Sequence, residues 1–156
     1  MWRMKLVQNT KTITLYTIGF AKKRAEDFFS LLKANSIRTL IDVRLNNISQ
    51  LAGFTKKDDL RYFLKEICGI DYVYEPAFAP TQEILDAYKK KCISWSQYEA
   101  DYKILLKQRR VENLIKDESI DMACLLCSEP TAEKCHRRLL AEYFKALNQN
   151  IRIKHL

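Results

Sequence analysis

Apolar positions along the chain follow two periods, and the switches between them outline alternating strands and helices. Short runs rich in β-branched and aromatic residues occur at Thr12–Ile18, Ile37–Val43, Tyr72–Glu75, Ile120–Cys127 and Ile151–His155, and each predicts a strand. Between them the spacing becomes helical. Ala25–Lys33 places Phe28, Leu31 and Leu32 on one face, and Asp58–Ile67 does the same with Leu60, Phe63, Leu64 and Ile67. The stretch Thr81–Lys116 is mostly helical, with a stripe of Trp95, Tyr98, Tyr102, Leu105 and Leu106 that reads as core. A final helix over about Thr131–Leu147 is expected to bury Leu139, Leu140, Tyr143, Phe144 and Leu147.

Strand–helix alternation implies parallel pairing through right-handed crossovers, which puts helices on both faces of the sheet. The unbroken apolar run Met122–Cys127 agrees, because a central parallel strand is covered on both faces and need not alternate. The expectation is therefore a three-layer α/β domain over residues 1–156, with a mostly parallel, Rossmann-like sheet of about five strands. In such sheets ligands bind beyond the carboxyl ends of the strands, where strand order reverses. That rule singles out Gly19, Arg44, Glu75-Pro76 and Cys127-Ser128-Glu129.

Composition narrows the class. The 156 residues are 47% hydrophobic and 29% charged, enough for a real core in one domain of about 100–200 residues. Only 3 Gly and 3 Pro leave little room for a flexible tether to a second domain. The longest purely apolar run, Met122 to Cys127, falls far short of the roughly 20 residues that span a bilayer. The first twenty residues are broken by Arg3, Lys5, Gln8 and Lys11 and hold no signal h-region, so a cytoplasmic chain without membrane contact is expected. Cysteines 68, 92, 124, 127 and 135 suit a reducing compartment, since five cannot all pair within one chain.

The balance of 27 Lys+Arg against 19 Asp+Glu gives +8. Basic groups recur at Lys22-Lys23-Arg24, Lys56-Lys57, Lys89-Lys90-Lys91, Lys107 with Arg109-Arg110, and Arg137-Arg138. Solvated helix faces account for most of this spread. A polyanion footprint stays open, because Tyr62, Tyr88, Trp95, Tyr98 and Tyr102 lie near some of the basic runs. The oligomeric state is left open.

The densest chemistry lies at the end of the fourth strand. Cys127 closes that strand, the loop Ser128-Glu129-Pro130 follows, and Thr131 is positioned to cap the helix carrying Cys135, His136 and Arg137. A thiol in the first helical turns beside His136, Arg137 and Lys134 is in an electropositive setting that favours thiolate. Against this, Cys135 and His136 align with Leu139, Leu140 and Phe144 and could simply be packed. Cys124 and Cys127 spell Cys-x-x-Cys, but on a strand they stand roughly 10 Å apart on opposite faces, too far to bridge. Cys127, Cys135 and His136 could meet around zinc, yet no fourth ligand is evident, so neither a metal nor another cofactor is expected. His155 reads as a surface residue.

Asp42-Val43-Arg44 is the second constellation. Residues two apart on a strand share a face, so Asp42 can orient a donor while Arg44 clamps a phosphate or carboxylate; a structural ion pair is the alternative. The loop Leu45–Phe54 could fold over the crevice. Gly19 permits a tight turn, but the fuller glycine-rich nucleotide pattern is absent.

Tyr16-Thr17-Ile18-Gly19, Ile41-Asp42-Val43-Arg44, Gly53-Phe54, Gly69-Ile70-Asp71-Tyr72 and Leu125-Leu126-Cys127-Ser128-Glu129 with Cys135-His136-Arg137 together resemble the domain-of-unknown-function 488 family. The resemblance runs from about Tyr16 to His155-Leu156 and implies an α/β sheet domain without an assigned reaction. Members often carry His-Ser after the Thr-Ile-Gly, where this chain has Phe20-Ala21.

The residues suggest a small enzyme acting on a phosphate-bearing substrate, a nucleotide or nucleic acid. Cys127 or Cys135 would supply a thiolate, His136 would move protons and Asp42 would orient. Arg44, Arg137, Glu129 and Gly19 would stand on the substrate side. The alternative is a non-catalytic nucleic-acid-binding module in which the same basic groups meet phosphates.

Overall fold

A computed structural model describes residues 11–48 and 50–156. Five strands, β1 (Ile13–Gly19), β2 (Thr39–Asp42), β3 (Asp71–Tyr74), β4 (Ala123–Cys127) and β5 (Ile151–His155), form one sheet in the order β3-β2-β4-β1-β5. Every pairing is parallel. The helices are α1 (Ala25–Ala34), α2 (Lys57–Phe63), α3 (Gln82–Lys89), α4 (Trp95–Arg109), α5 (Asp117–Ile120) and α6 (His136–Leu147). Among the described residues no helix is long and apolar enough to cross a membrane.

Period-two alternation divides the core into two clusters. Phe28, Phe29 and Leu32 of α1 and Leu60 of α2 pack on Tyr16, Ile18, Leu40, Cys124 and Leu126. On the other face Tyr98, Tyr102 and Leu106 of α4 and Leu139, Leu140 and Phe144 of α6 cover Leu15, Ile41, Val43, Leu125 and Cys127. The arrangement is the expected three-layer α/β fold. β4 is buried at every position, as its unbroken apolar run predicts.

Several boundaries differ from the sequence expectation. The fourth strand begins at Ala123 rather than Ile120, because 117–120 wind into α5 and Met122 turns the chain at φ 61. The second helix widens into a π turn over Leu64–Cys68 that Gly69 ends at φ 65, and Ile67 is carried out to 47% exposure instead of joining the core. The last helix begins at His136, not Thr131; residues 131–134 are bends and turns, Thr131 is exposed, and Cys135 occupies the N-cap position without a side-chain cap bond. Leu147, expected to be buried, is 58% exposed at the helix end.

This topology fixes where a site can form. The helices following β1 and β2 leave to one face, whereas α6, following the intervening β4, leaves to the other. Neighbouring strands whose exits diverge open a crevice beyond their carboxyl ends. The register sets Gly19 beside Cys127 and Asp42 beside Leu126, so the ends of β1, β2 and β4 border that crevice together.

Candidate active site: a buried Cys–His pair in an aromatic-walled cleft

Cys127 stands at the last position of β4, and α6 returns Cys135 and His136 to it. Its Sγ lies 3.6 Å from Nδ1 of His136, and one donor atom from each of the three side chains falls within 4.8 Å of the others. The Nε2 of His136 lies 2.8 Å from the carbonyl oxygen of Val43. A carbonyl only accepts, so Nε2 carries a hydrogen and Nδ1 is the nitrogen that faces the thiol.

The electrostatics make Cys127 the thiolate of the group. A hydrogen bond from the Cys135 thiol holds Cys127 well below the ordinary thiol range; burial opposes this, and the charge and hydrogen bond of His136 reinforce it. Cys135 is pushed up in turn, by donating to Cys127 and by its own burial. Burial works against a charged His136, but the Cys127 thiolate outweighs it and raises the imidazole above its usual value. The two shifts act together: each favours moving the proton from Cys127 Sγ towards Nδ1 of His136.

Arg137 backs this pair from inside the protein. It is fully buried, and it donates from Nη1 to the Glu129 carbonyl (2.8 Å) and to Cys135 Sγ (3.4 Å), and from Nε to Thr17 Oγ1 (3.3 Å). Thr17 Oγ1 in turn lies 2.7 Å from Nδ1 of His155, which burial and then Arg137 keep below the usual imidazole range. Nη2 of Arg137 is buried without a partner. Among the described residues no carboxylate forms an ion pair with this guanidinium; its partners are a carbonyl, a hydroxyl and the Cys135 sulfur.

Asp42 and Arg44 close on each other. Asp42 accepts from Arg44 Nε and Nη2, both at 2.8 Å, and also from Asn47 and the Tyr72 hydroxyl, while Arg44 Nη2 donates to the Thr55 carbonyl at 2.7 Å. Both are buried. Phe20 lies with its ring centroid 5.4 Å from the Arg44 guanidinium carbon. The structure thus presents this pair as a buried ion pair beside the site, with two of the three guanidinium nitrogens already committed.

A cleft of about 290 Å³ opens over Cys127, Cys135 and His136. One wall is aromatic: Trp95 stacks on Tyr98 at 4.9 Å between centroids and 16° between planes, and Tyr88 meets both rings. The lining also includes Arg44, Glu129 and the exposed Lys134 and Lys89. Trp95, read from its spacing as core, is half-buried and lines this opening.

Of the residues singled out in the sequence, Cys127, Cys135, His136, Arg44 and Glu129 border the cleft; Gly19 and Arg137 lie behind it, and Asp42 beneath Arg44. Glu75 instead caps the turn at Pro76–Phe78, accepting from the Ala77 N–H. Of the loop expected to fold over the crevice, Leu45 and Asn46 border the cleft, and Ser49 lies outside the described residues. Sequence reasoning missed Thr17 and the Val43 carbonyl. A lone polar residue between Tyr16 and Ile18 was the available signal for the first, and a backbone acceptor leaves none.

Comparison with curated proteins and with solved structures gives no match. The model of one family does match, over residues 24–144, which includes β2 to β4, both cysteines of the cleft and His136. On that match the chain belongs to the family described as domain of unknown function DUF488.

Proposed function

We propose that this protein is an enzyme that attacks a phosphate-bearing substrate, a nucleotide or nucleic acid, with the Cys127 thiolate. One observation carries the reading: Cys127 Sγ is 3.6 Å from an imidazole nitrogen whose partner nitrogen is committed to a backbone carbonyl, and the pair opens on a cleft. Nucleophile, oriented proton-transfer partner and access are the parts that covalent catalysis needs. Lys89, Lys134 and Arg44 favour an anion there, and the Trp95–Tyr98 wall offers a planar group a stacking surface. The thiolate forms a bond to the electrophilic atom of the substrate as the bond to the leaving group breaks. The His136 imidazolium supplies the leaving group with a proton, and water then releases the product.

The test is turnover of an aryl phosphate, nucleotides and short oligonucleotides by wild type, Cys127→Ser and His136→Asn, with intact-mass detection of an adduct. Product formation and an adduct in wild type alone support the reading. Oligonucleotide binding that is equal in wild type and Cys127→Ser, with no turnover in either, overturns it in favour of a non-catalytic nucleic-acid-binding module.

A further inference from the structure

We propose that Cys127, Cys135 and His136 bind one thiophilic divalent cation, represented by Zn²⁺, through their two Sγ atoms and Nδ1, with a fourth coordination position open to the cleft. The inference uses the same side chains as the proposed function but does not depend on it. Metal-loaded, Cys127 is a ligand; metal-free, it is available as a nucleophile.

Geometry is the first support. Tetrahedral zinc with legs of about 2.3 Å to sulfur and 2.0–2.1 Å to nitrogen sets those ligand atoms about 3.6 Å apart, and two sulfurs about 3.8 Å apart. Cys127 Sγ and His136 Nδ1 are separated by 3.6 Å, and the three donors lie within 4.8 Å of one another. The Cys127–His136 separation already matches that of two ligands on one ion, and the third donor lies within about 1 Å of where the ion requires it.

Orientation is the second. Metal-bound histidines generally give their other N–H to a carbonyl or carboxylate, which fixes the tautomer and aims the ligating lone pair. His136 does this already, with Nε2 2.8 Å from the Val43 carbonyl and Nδ1 turned to Cys127. Arg137 Nη1, 3.4 Å from Cys135 Sγ, supplies the N–H···S contact that suits a ligating thiolate. Two sulfurs and an imidazole select zinc-like cations over Mg²⁺ or Ca²⁺. Three protein ligands bordering a cleft leave the fourth position for water or substrate.

The experiment uses the full chain, stripped with a chelator, equilibrated with ZnCl₂, desalted and analysed for retained metal. Wild type and Cys92→Ser, which alters an exposed thiol, are expected to hold one zinc per chain, and Cys127→Ser and Cys135→Ser to lose about tenfold or more of that retention. Co²⁺ substitution of wild type is expected to give thiolate-to-cobalt charge transfer and intense tetrahedral bands, a readout independent of how the variants fold. Zinc is also expected to slow alkylation of Cys127 about tenfold or more, reversibly with EDTA. Negligible zinc in wild type, or equal retention in folded Cys127→Ser and Cys135→Ser, overturns the proposal. Rapid Cys127 alkylation without zinc retention would defeat this inference and leave the nucleophile standing. Zinc retention with a sluggish Cys127 after chelation would support the metal site and defeat the nucleophile.

Discussion

Gly19 and Glu129 touch where β1 ends: a Cβ placed on Gly19 would overlap the Glu129 carbonyl carbon and oxygen, which are backbone atoms with no rotamer to give. That carbonyl also accepts the Arg137 Nη1 hydrogen bond. Gly19→Ala must therefore displace the loop after β4 or the end of β1. We expect it to cost about 1–3 kcal/mol in urea denaturation. At Gly53, where an added Cβ meets nothing within 4 Å, the same change is expected to cost less than about 0.5 kcal/mol. Equal effects at the two positions would refute the close approach.

Cys127 is expected to be alkylated ahead of Cys68 and Cys124, whose thiols burial pushes up, and of Cys135, which donates to it. Because the Cys127 value is depressed, its thiolate persists to lower pH than that of an ordinary thiol, and its rate is expected to fall only as acid protonates it. Thiols of the denatured chain still gain reactivity as pH rises through about 8.5. Cys135→Ala removes the largest contribution and His136→Asn the next, so both should move the acid limb of the rate profile to higher pH. Wherever the limb passes the pH of the assay, each further pH unit it moves should slow the reaction about tenfold. Mass-spectrometric mapping after brief alkylation across a pH series checks this. A Cys127 rate that climbs in step with the denatured chain would refute it.

Asp42 accepts from Arg44 Nε, Nη2 and N–H, from Asn47 and from Tyr72 at full burial. Asp42→Asn leaves a buried guanidinium without its carboxylate and is expected to cost about 3–5 kcal/mol. Tyr72→Phe removes one donor of several and should cost about 1 kcal/mol. The Tyr72 hydroxyl is held in its neutral form, above its ordinary value, by burial and by Asp42, so its loss should not add a pH dependence near neutrality. Thermal melts of the two variants decide the order, and a Tyr72→Phe change as large as Asp42→Asn would contradict it.

The parallel sheet was legible because its signals are local. β5 matches its expected bounds, with Ile151 and Ile153 alternating with Arg152 and Lys154, and β4 is apolar throughout as a doubly covered strand must be. The start of α6 was not legible. Pro130-Thr131-Ala132-Glu133 offers a plausible cap and first turn, yet the chain stays irregular to Cys135. Long-range contacts override the cap: Arg137 is tied to Thr17, 120 positions away, and His136 to Val43, 93 away. A helix begun at Thr131 would have to redirect the segment that joins Glu129, against Gly19, to Cys135, against Arg137. The cleft's chemistry was half legible for the same reason. Cys127, Cys135 and His136 announced themselves by type, whereas Trp95 carries an ordinary core spacing and only the packing of α3 against α4 turns it toward the cleft.

Arg137 is a buried cation whose partners are Thr17 Oγ1, the Glu129 carbonyl and Cys135 Sγ, and its Nη2 has none. Two contributions to stability can be separated there. Volume is one, since Arg137 heads the largest fully buried side chains, and Arg137→Ala opens a cavity expected to cost about 2–5 kcal/mol. Charge is the other, and it works against folding where no carboxylate balances it. Arg137→Met refills most of the volume and removes the charge, at the expense of about 1–3 kcal/mol for a Glu129 carbonyl left without its donor. Met is therefore expected to be more stable than Ala. The Met variant should also raise the His155 value towards the ordinary imidazole range, because Arg137 is a cause of its depression second to burial. Nuclear magnetic resonance titration of His155 together with urea melts reads both effects. If Ala and Met unfold at the same denaturant concentration while His155 titrates unchanged, neither the volume nor the charge of Arg137 acts as the geometry requires.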